Sequence, residues 1–135
     1  MKCTAELKGQ DFIEVDTEDS SYLRVIGCSQ TLNLLRDIRH QFGEDTSVWP
    51  LPTGTEHGAL LLKEALEKQR GQWTFPYLHE ELCHCRSVST EKVDQTILAG
   101  AHTPEQVSRL TSASTACGTC RIEVEKILRW RGLLK

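Results

Sequence analysis

The sequence predicts a two-part α+β chain: a small α/β domain over residues 1–75, then an all-helical domain over residues 76–135. Three observations carry this reading. Strand-like runs gather in the first part of the chain, and apolar residues at helical spacing fill most of the rest. Between the two parts, Gly71-Gln72-Trp73-Thr74-Phe75-Pro76 accumulates turn residues just where a strong helical pattern stops.

In the first part, Phe12-Ile13-Glu14-Val15 and Tyr22-Leu23-Arg24-Val25-Ile26 read as short strands joined through the polar stretch Asp16 to Ser21. Gly27-Cys28-Ser29-Gln30 leads into a helix over Thr31 to Phe42. There Leu32, Leu35, Ile38 and Phe42 recur at helical spacing, and Gly43 supplies the stop. Val48-Trp49-Pro50-Leu51 is expected as an edge strand, because Pro50 has no amide hydrogen for a ladder. A second helix is expected from Glu56 to Arg70, with Ala59, Leu62 and Leu66 on one face, Gly71 as its stop, and Thr53 or Thr55 as its cap.

Downstream the pattern is helical throughout. Val93, Ile97 and Leu98 share a face on a helix that opens near Thr90 and ends before Gly100. The next start is marked by Thr103 at the cap, Pro104 at the first helical position and Gln106 three residues after the cap. Val107 and Leu110 are its expected buried face. A last helix should run from Cys117 or Gly118 to Arg131, with Val124, Ile127 and Leu128 inward and Gly132 closing it.

Composition narrows the functional classes. With 39% apolar and 26% charged residues, the chain reads as soluble and folded. Residues 1–75 carry a net −4 and residues 76–135 a net +1, so neither part has the basic excess of a nucleic-acid binder. The N-terminal residues have no apolar core or cleavage site of a signal peptide, and the longest apolar run, Ala59-Leu60-Leu61-Leu62, is far from a membrane span. The expectation is a reducing cytoplasm, where six cysteines are metal ligands or free thiols before they are disulfides.

Four of these cysteines are spaced as Cys83-x-Cys85, a 31-residue insert, and Cys117-x-x-Cys120. Residues two apart on an extended segment point to one side, so Cys83 and Cys85 can present both sulfurs together. Gly118 lets the second turn wrap tightly and bring amide hydrogens toward sulfur. If that turn opens a helix, free amides and the positive end of the dipole favour an anionic centre. A four-thiolate [2Fe–2S] cluster and a four-thiolate zinc site are both anionic, so electrostatics leave both open. The pair spacing leans away from zinc, whose structural ligands usually come as C-x₂₋₄-C pairs.

The run Leu82-Cys83-His84-Cys85, then Val88-Ser89-Thr90-Glu91-Lys92-Val93, then Cys117-Gly118-Thr119-Cys120, resembles the bacterioferritin-associated ferredoxin-like [2Fe–2S] domain. That family shows C-x-C, an insert of similar length and C-x-x-C on a compact helix-turn-helix framework. The resemblance covers about residues 80–131. It implies an all-α helix-turn-helix fold for this part, a [2Fe–2S] cofactor, and Cys83, Cys85, Cys117 and Cys120 as its ligands. Family members act as small ferredoxins or as modules in iron-release systems, nitrogenase cluster scaffolds, multi-component reductases and copper chaperones. The stand-alone ferredoxin begins almost at its first cysteine pair, whereas about eighty residues precede that pair here.

Other residues carry less. His84 lies between two cysteines and reads as exposed. Cys28 falls between a strand and a helix, where a helix N-terminus lowers thiol pKa values; a small buried apolar role is the reading preferred here. Cys3, near the terminus, supports no inference. The segment Thr53 to Gly58 lacks the lysine and spacing of a phosphate loop. His40, His57, His79 and His102 show no metal spacing. Arg121, Lys126, Arg129, Arg131 and Lys135 make the last helix basic, suited to an acidic partner or to the helix C-terminus. No catalytic triad or acid–base pair stands out, so the expectation is a non-enzyme. It would carry single electrons between a reductase and an acceptor, with a reductase or an iron-storage or iron-handling protein as partner, and neither nucleic acid nor membrane. The alternatives are an iron–sulfur assembly or metallochaperone protein, and a zinc-stabilised interaction module.

Overall fold

A computed structural model describes residues 1–73, 81–83, 88–111 and 121–133, giving the backbone alone at 81–83, 88 and 121–123. The chain is mixed α+β and divides into two compact units, Met1–Trp73 and Thr74–Lys135.

The first unit opens with an antiparallel meander of β1 (Lys2–Leu7), β2 (Asp11–Asp16) and β3 (Leu23–Ile26). Ala5 pairs with Ile13, and Ile13 with Val25. Strand alternation sends Cys3, Ala5 and Leu7 inward from β1, and Asp11, Ile13 and Val15 inward from β2. β1 was not expected from the sequence. Its inner face begins with the small residues Cys3 and Ala5, which give little of the branched or aromatic signal that marks a strand.

α1 (Ser29–Phe42) and α2 (His57–Gln69) follow, close to their expected bounds. α2 packs on β1, β2 and α1, so its burial spreads from a stripe to most of its surface: Gly58 to Leu62 and Glu64 to Leu66 are all buried. Its cap residue is Glu56, with no side-chain capping bond, and neither Thr53 nor Thr55 takes that part. On α1 the inward stripe is Thr31 and Leu35. Leu32 sits one residue, about 100°, off that stripe and is exposed, as is Phe42 in the last turn.

The expected edge strand at Val48–Leu51 does not form. Asp45 instead caps a short 3₁₀ turn, Thr46–Val48, by accepting from the Ser47 amide at 3.0 Å. The Trp49 ring nitrogen then donates to the Gly43 carbonyl at 2.9 Å, and Arg70 donates to the Trp49 carbonyl. These bonds turn the indole into the core, where it is 1% exposed. Burial of such a ring or of Leu61, Leu62 or Leu66 contributes about 1.5–3 kcal/mol per side chain.

Among the described residues, the second unit opens with an antiparallel pair, β4 (Glu81–Cys83) and β5 (Val88–Ser89), where a helical domain was expected. Three helices follow: α3 (Thr90–Leu98), α4 (Pro104–Thr111) and α5 (Arg121–Trp130). Ser89 caps α3 by accepting from the Lys92 amide at 3.0 Å. Thr103 caps α4 by accepting from the Gln106 amide at 3.2 Å, while the Gln106 side chain accepts from the His102 amide at 2.9 Å. The return bond therefore reaches one residue further back than in the usual capping box. Val93, Ile97, Ala101, Val107, Val124, Ile127 and Leu128 form one buried cluster joining the three helices. Leu110, expected inward, is 64% exposed, and Thr111 is buried in the last turn of α4. Any helical start at Cys117 or Gly118 lies outside the described residues.

Candidate metal centres

In the second unit, β4 ends on Cys83, whose backbone pairs with Val88; a register irregularity falls between Glu81 and Cys83. Cys85, Cys117 and Cys120, with His84 and His79, lie outside the described residues. The segments that carry the four cysteines lead into α3 and α5, and these two helices share the buried cluster around Ile97 and Ile127. A paired charge adds to that link. Arg131 donates to Asp94 through Nε at 2.6 Å and through Nη2 at 2.7 Å, a two-point bond with the guanidinium side chain only 2% exposed. Arg131, read from sequence as one of the basic residues suited to an acidic partner or to the helix C-terminus, is thus an internal tie between α3 and the residue after α5. Four thiolates are the donor set that a [2Fe–2S] cluster takes.

The first unit holds a second constellation. Cys28 is the cap residue of α1, His57 the first residue of α2, and Asp11 the first residue of β2. His57 Nε2 lies 3.2 Å from Cys28 Sγ and 2.6 Å from Asp11 Oδ2. Asp11 accepts twice more, from the Cys28 amide on Oδ1 and the Thr31 hydroxyl on Oδ2, each at 2.9 Å. Its side chain is fully buried, whereas Cys28 is exposed. One sulfur, one nitrogen and one oxygen from these residues lie within 4.8 Å of one another. The Thr31 hydroxyl foremost, its one proton shared between Asp11 Oδ2 and Cys28 Sγ at 3.5 Å, then the Thr31 amide and the His57 ring, favour the Cys28 thiolate and draw its pKa down to about 7.

This arrangement corrects two expectations. Cys28 is an exposed, activated thiol instead of a small buried residue, and His57 has ligand-type neighbours although no sequence spacing announced them. One signal was available in the sequence: extending the Ile13/Val15 alternation back by one step places the carboxylate of Asp11 on the buried face. His40 and His102 join no such group among the described residues.

Among the described residues, no helix is long and apolar enough to cross a membrane. Residues 82–130 match the BFD-like [2Fe-2S] binding domain, so this region is an iron–sulfur domain and its cofactor is a [2Fe–2S] cluster. No curated protein and no solved structure matches the chain.

Proposed function

We propose that the chain is a ferredoxin-like carrier that passes single electrons between a reductase and an acceptor protein in the cytoplasm, with no catalytic chemistry of its own. The carrying observation is the match of residues 82–130 to a [2Fe–2S] domain, together with a four-cysteine set of the right chemistry. Cys83, Cys85, Cys117 and Cys120 would hold the cluster, which supplies a one-electron couple when bound. The remaining work falls to the helical frame. The Ile97–Ile127 cluster and the Asp94–Arg131 tie hold α3 to α5 and to the residue after it, the frame on which this reading relies. Stopped-flow mixing of the reduced protein with an excess of oxidised cytochrome c tests this. The expected result is loss of one electron per chain in a single phase, with the cluster intact afterwards. Reduction that destroys the cluster, or fails to pass on, would rule the carrier reading out.

A second reading, iron–sulfur assembly or metal delivery, is favoured by the thiol, imidazole and carboxylate gathered at Cys28, His57 and Asp11. It predicts that Cys28→Ser impairs transfer of iron or sulfur to an acceptor while the cluster spectrum stays unchanged. A simple carrier is indifferent to that substitution.

A further inference from the structure

We propose that Asp11, Cys28 and His57 form a second, mononuclear metal site that takes a divalent zinc-class ion, with one coordination position left open to solvent. The distances argue against the obvious alternative, a nucleophilic relay. In a relay the imidazole joins the thiol through one ring nitrogen and the carboxylate through the other. Here the same atom, His57 Nε2, faces both Cys28 Sγ at 3.2 Å and Asp11 Oδ2 at 2.6 Å. A single ring nitrogen cannot pass a proton between those two partners across the ring. A cation between the three donor atoms satisfies all of them together.

The donor set of one thiolate, one imidazole and one carboxylate is mixed in softness, which suits zinc above magnesium or calcium. Three protein ligands and a free fourth position is the pattern of open zinc sites. Tetrahedral zinc at about 2.0–2.3 Å from its ligands separates them by roughly 3.3–3.6 Å. Starting from 2.6 and 3.2 Å, the His57 nitrogen therefore has to draw away from the carboxylate and the thiol by less than about 1 Å, and its side chain is 23% exposed.

The surroundings are built for this convergence. The Thr31 hydroxyl and the Cys28 amide, each at 2.9 Å, fix both oxygens of the buried carboxylate, as outer-shell donors do around bound metals. Two glycines let the three elements close. A β-carbon on Gly27 would lie 2.5 Å from Asp11 Oδ1, and one on Gly58 would lie 2.6 Å from the Thr31 hydroxyl oxygen. Side chains at either position would push the carboxylate, or the start of α1 from the start of α2, out of place. The site owes nothing to the cluster cysteines and stands whether or not the chain carries electrons.

The test is zinc titration of the full chain with its iron and sulfide complete, followed by zinc-edge X-ray absorption. The expected result is one zinc per chain, one sulfur and otherwise nitrogen or oxygen neighbours, and unchanged iron content. Cys28→Ser and His57→Ala should each weaken binding at least 100-fold with the visible cluster spectrum preserved. Asp11→Asn should do the same, and Thr31→Val should cost about tenfold as an outer-shell loss. Circular dichroism identifies any variant that fails to fold, and His57→Ala, altering a partly exposed ring, then decides the matter. Failure to bind zinc, a four-sulfur environment with displaced iron, or affinity unaffected by both Cys28→Ser and His57→Ala would overturn the proposal.

Discussion

The tie between Asp94 and Arg131 gives the sharpest handle on how the iron–sulfur domain is held together. Asp94→Ala removes the two-point bond, at 2.6 and 2.7 Å, from a guanidinium that is 2% exposed. Breaking a buried pair from one side typically costs about 3–5 kcal/mol, because the remaining charge is left badly solvated. Asp94 is itself 18% exposed, so water can replace part of what is lost, and a cost of roughly 2–3 kcal/mol is expected. For a unit of this size, 1 kcal/mol moves the melting temperature by about 4–8 °C, so the drop should be roughly 10–20 °C. Following the cluster's visible absorbance during heating isolates this unit from the N-terminal one. Combining Asp94→Ala with Arg131→Met in a double-mutant cycle separates the pair from other losses; a coupling of about 2 kcal/mol is expected. A drop below about 3 °C, or a coupling near zero, would show that packing alone holds α3 to the end of α5.

Three further outcomes are expected, at Cys117, Ile97 and Cys28. Cys117→Ala should sharply lower iron and sulfide content and reduce helicity on circular dichroism; full iron content would contradict its assignment as a ligand. Ile97→Ala, in the fully buried cluster, should destabilise the second unit by about 2–5 kcal/mol and speed cluster loss, as measured by absorbance decay. Cys28 has its thiol pKa lowered to about 7, so the thiolate is half formed there and its fraction falls below that pH and rises above it. Iodoacetamide labelling of chelator-treated protein should therefore be half-maximal near pH 7, and Thr31→Val should move that midpoint upward. A midpoint at the ordinary thiol value of about 8.5 in the unaltered chain would refute the activation.

The helices were legible in the sequence wherever caps and apolar spacing agreed. Thr103-Pro104 and Gln106 announced α4, and Val93 with Ile97 announced the inward face of α3. What escaped had a physical reason in each case. β1 hides because Cys3 and Ala5 fill its inner face with small side chains. Val48–Leu51 misleads because the hydrogen bond from Trp49 to Gly43 and the Asp45 cap outweigh strand propensity. Leu110 misleads because apolar spacing marks a stripe, whereas burial depends on which neighbours arrive. The cysteine pairs were visible because each is local in the chain. The Asp11–Cys28–His57 group was not, since its members are 17 and 29 residues apart and meet only through the packing of α2 onto the sheet and of α1 against α2.

The central claim, a single [2Fe–2S] centre that exchanges one electron, is tested most directly by redox titration with quantitative electron paramagnetic resonance on anaerobically purified protein. The account predicts two irons and two sulfides per chain, and one unpaired spin appearing reversibly with a one-electron Nernst slope. A colourless protein holding zinc in place of iron, or one that gives no spin on reduction, would contradict it.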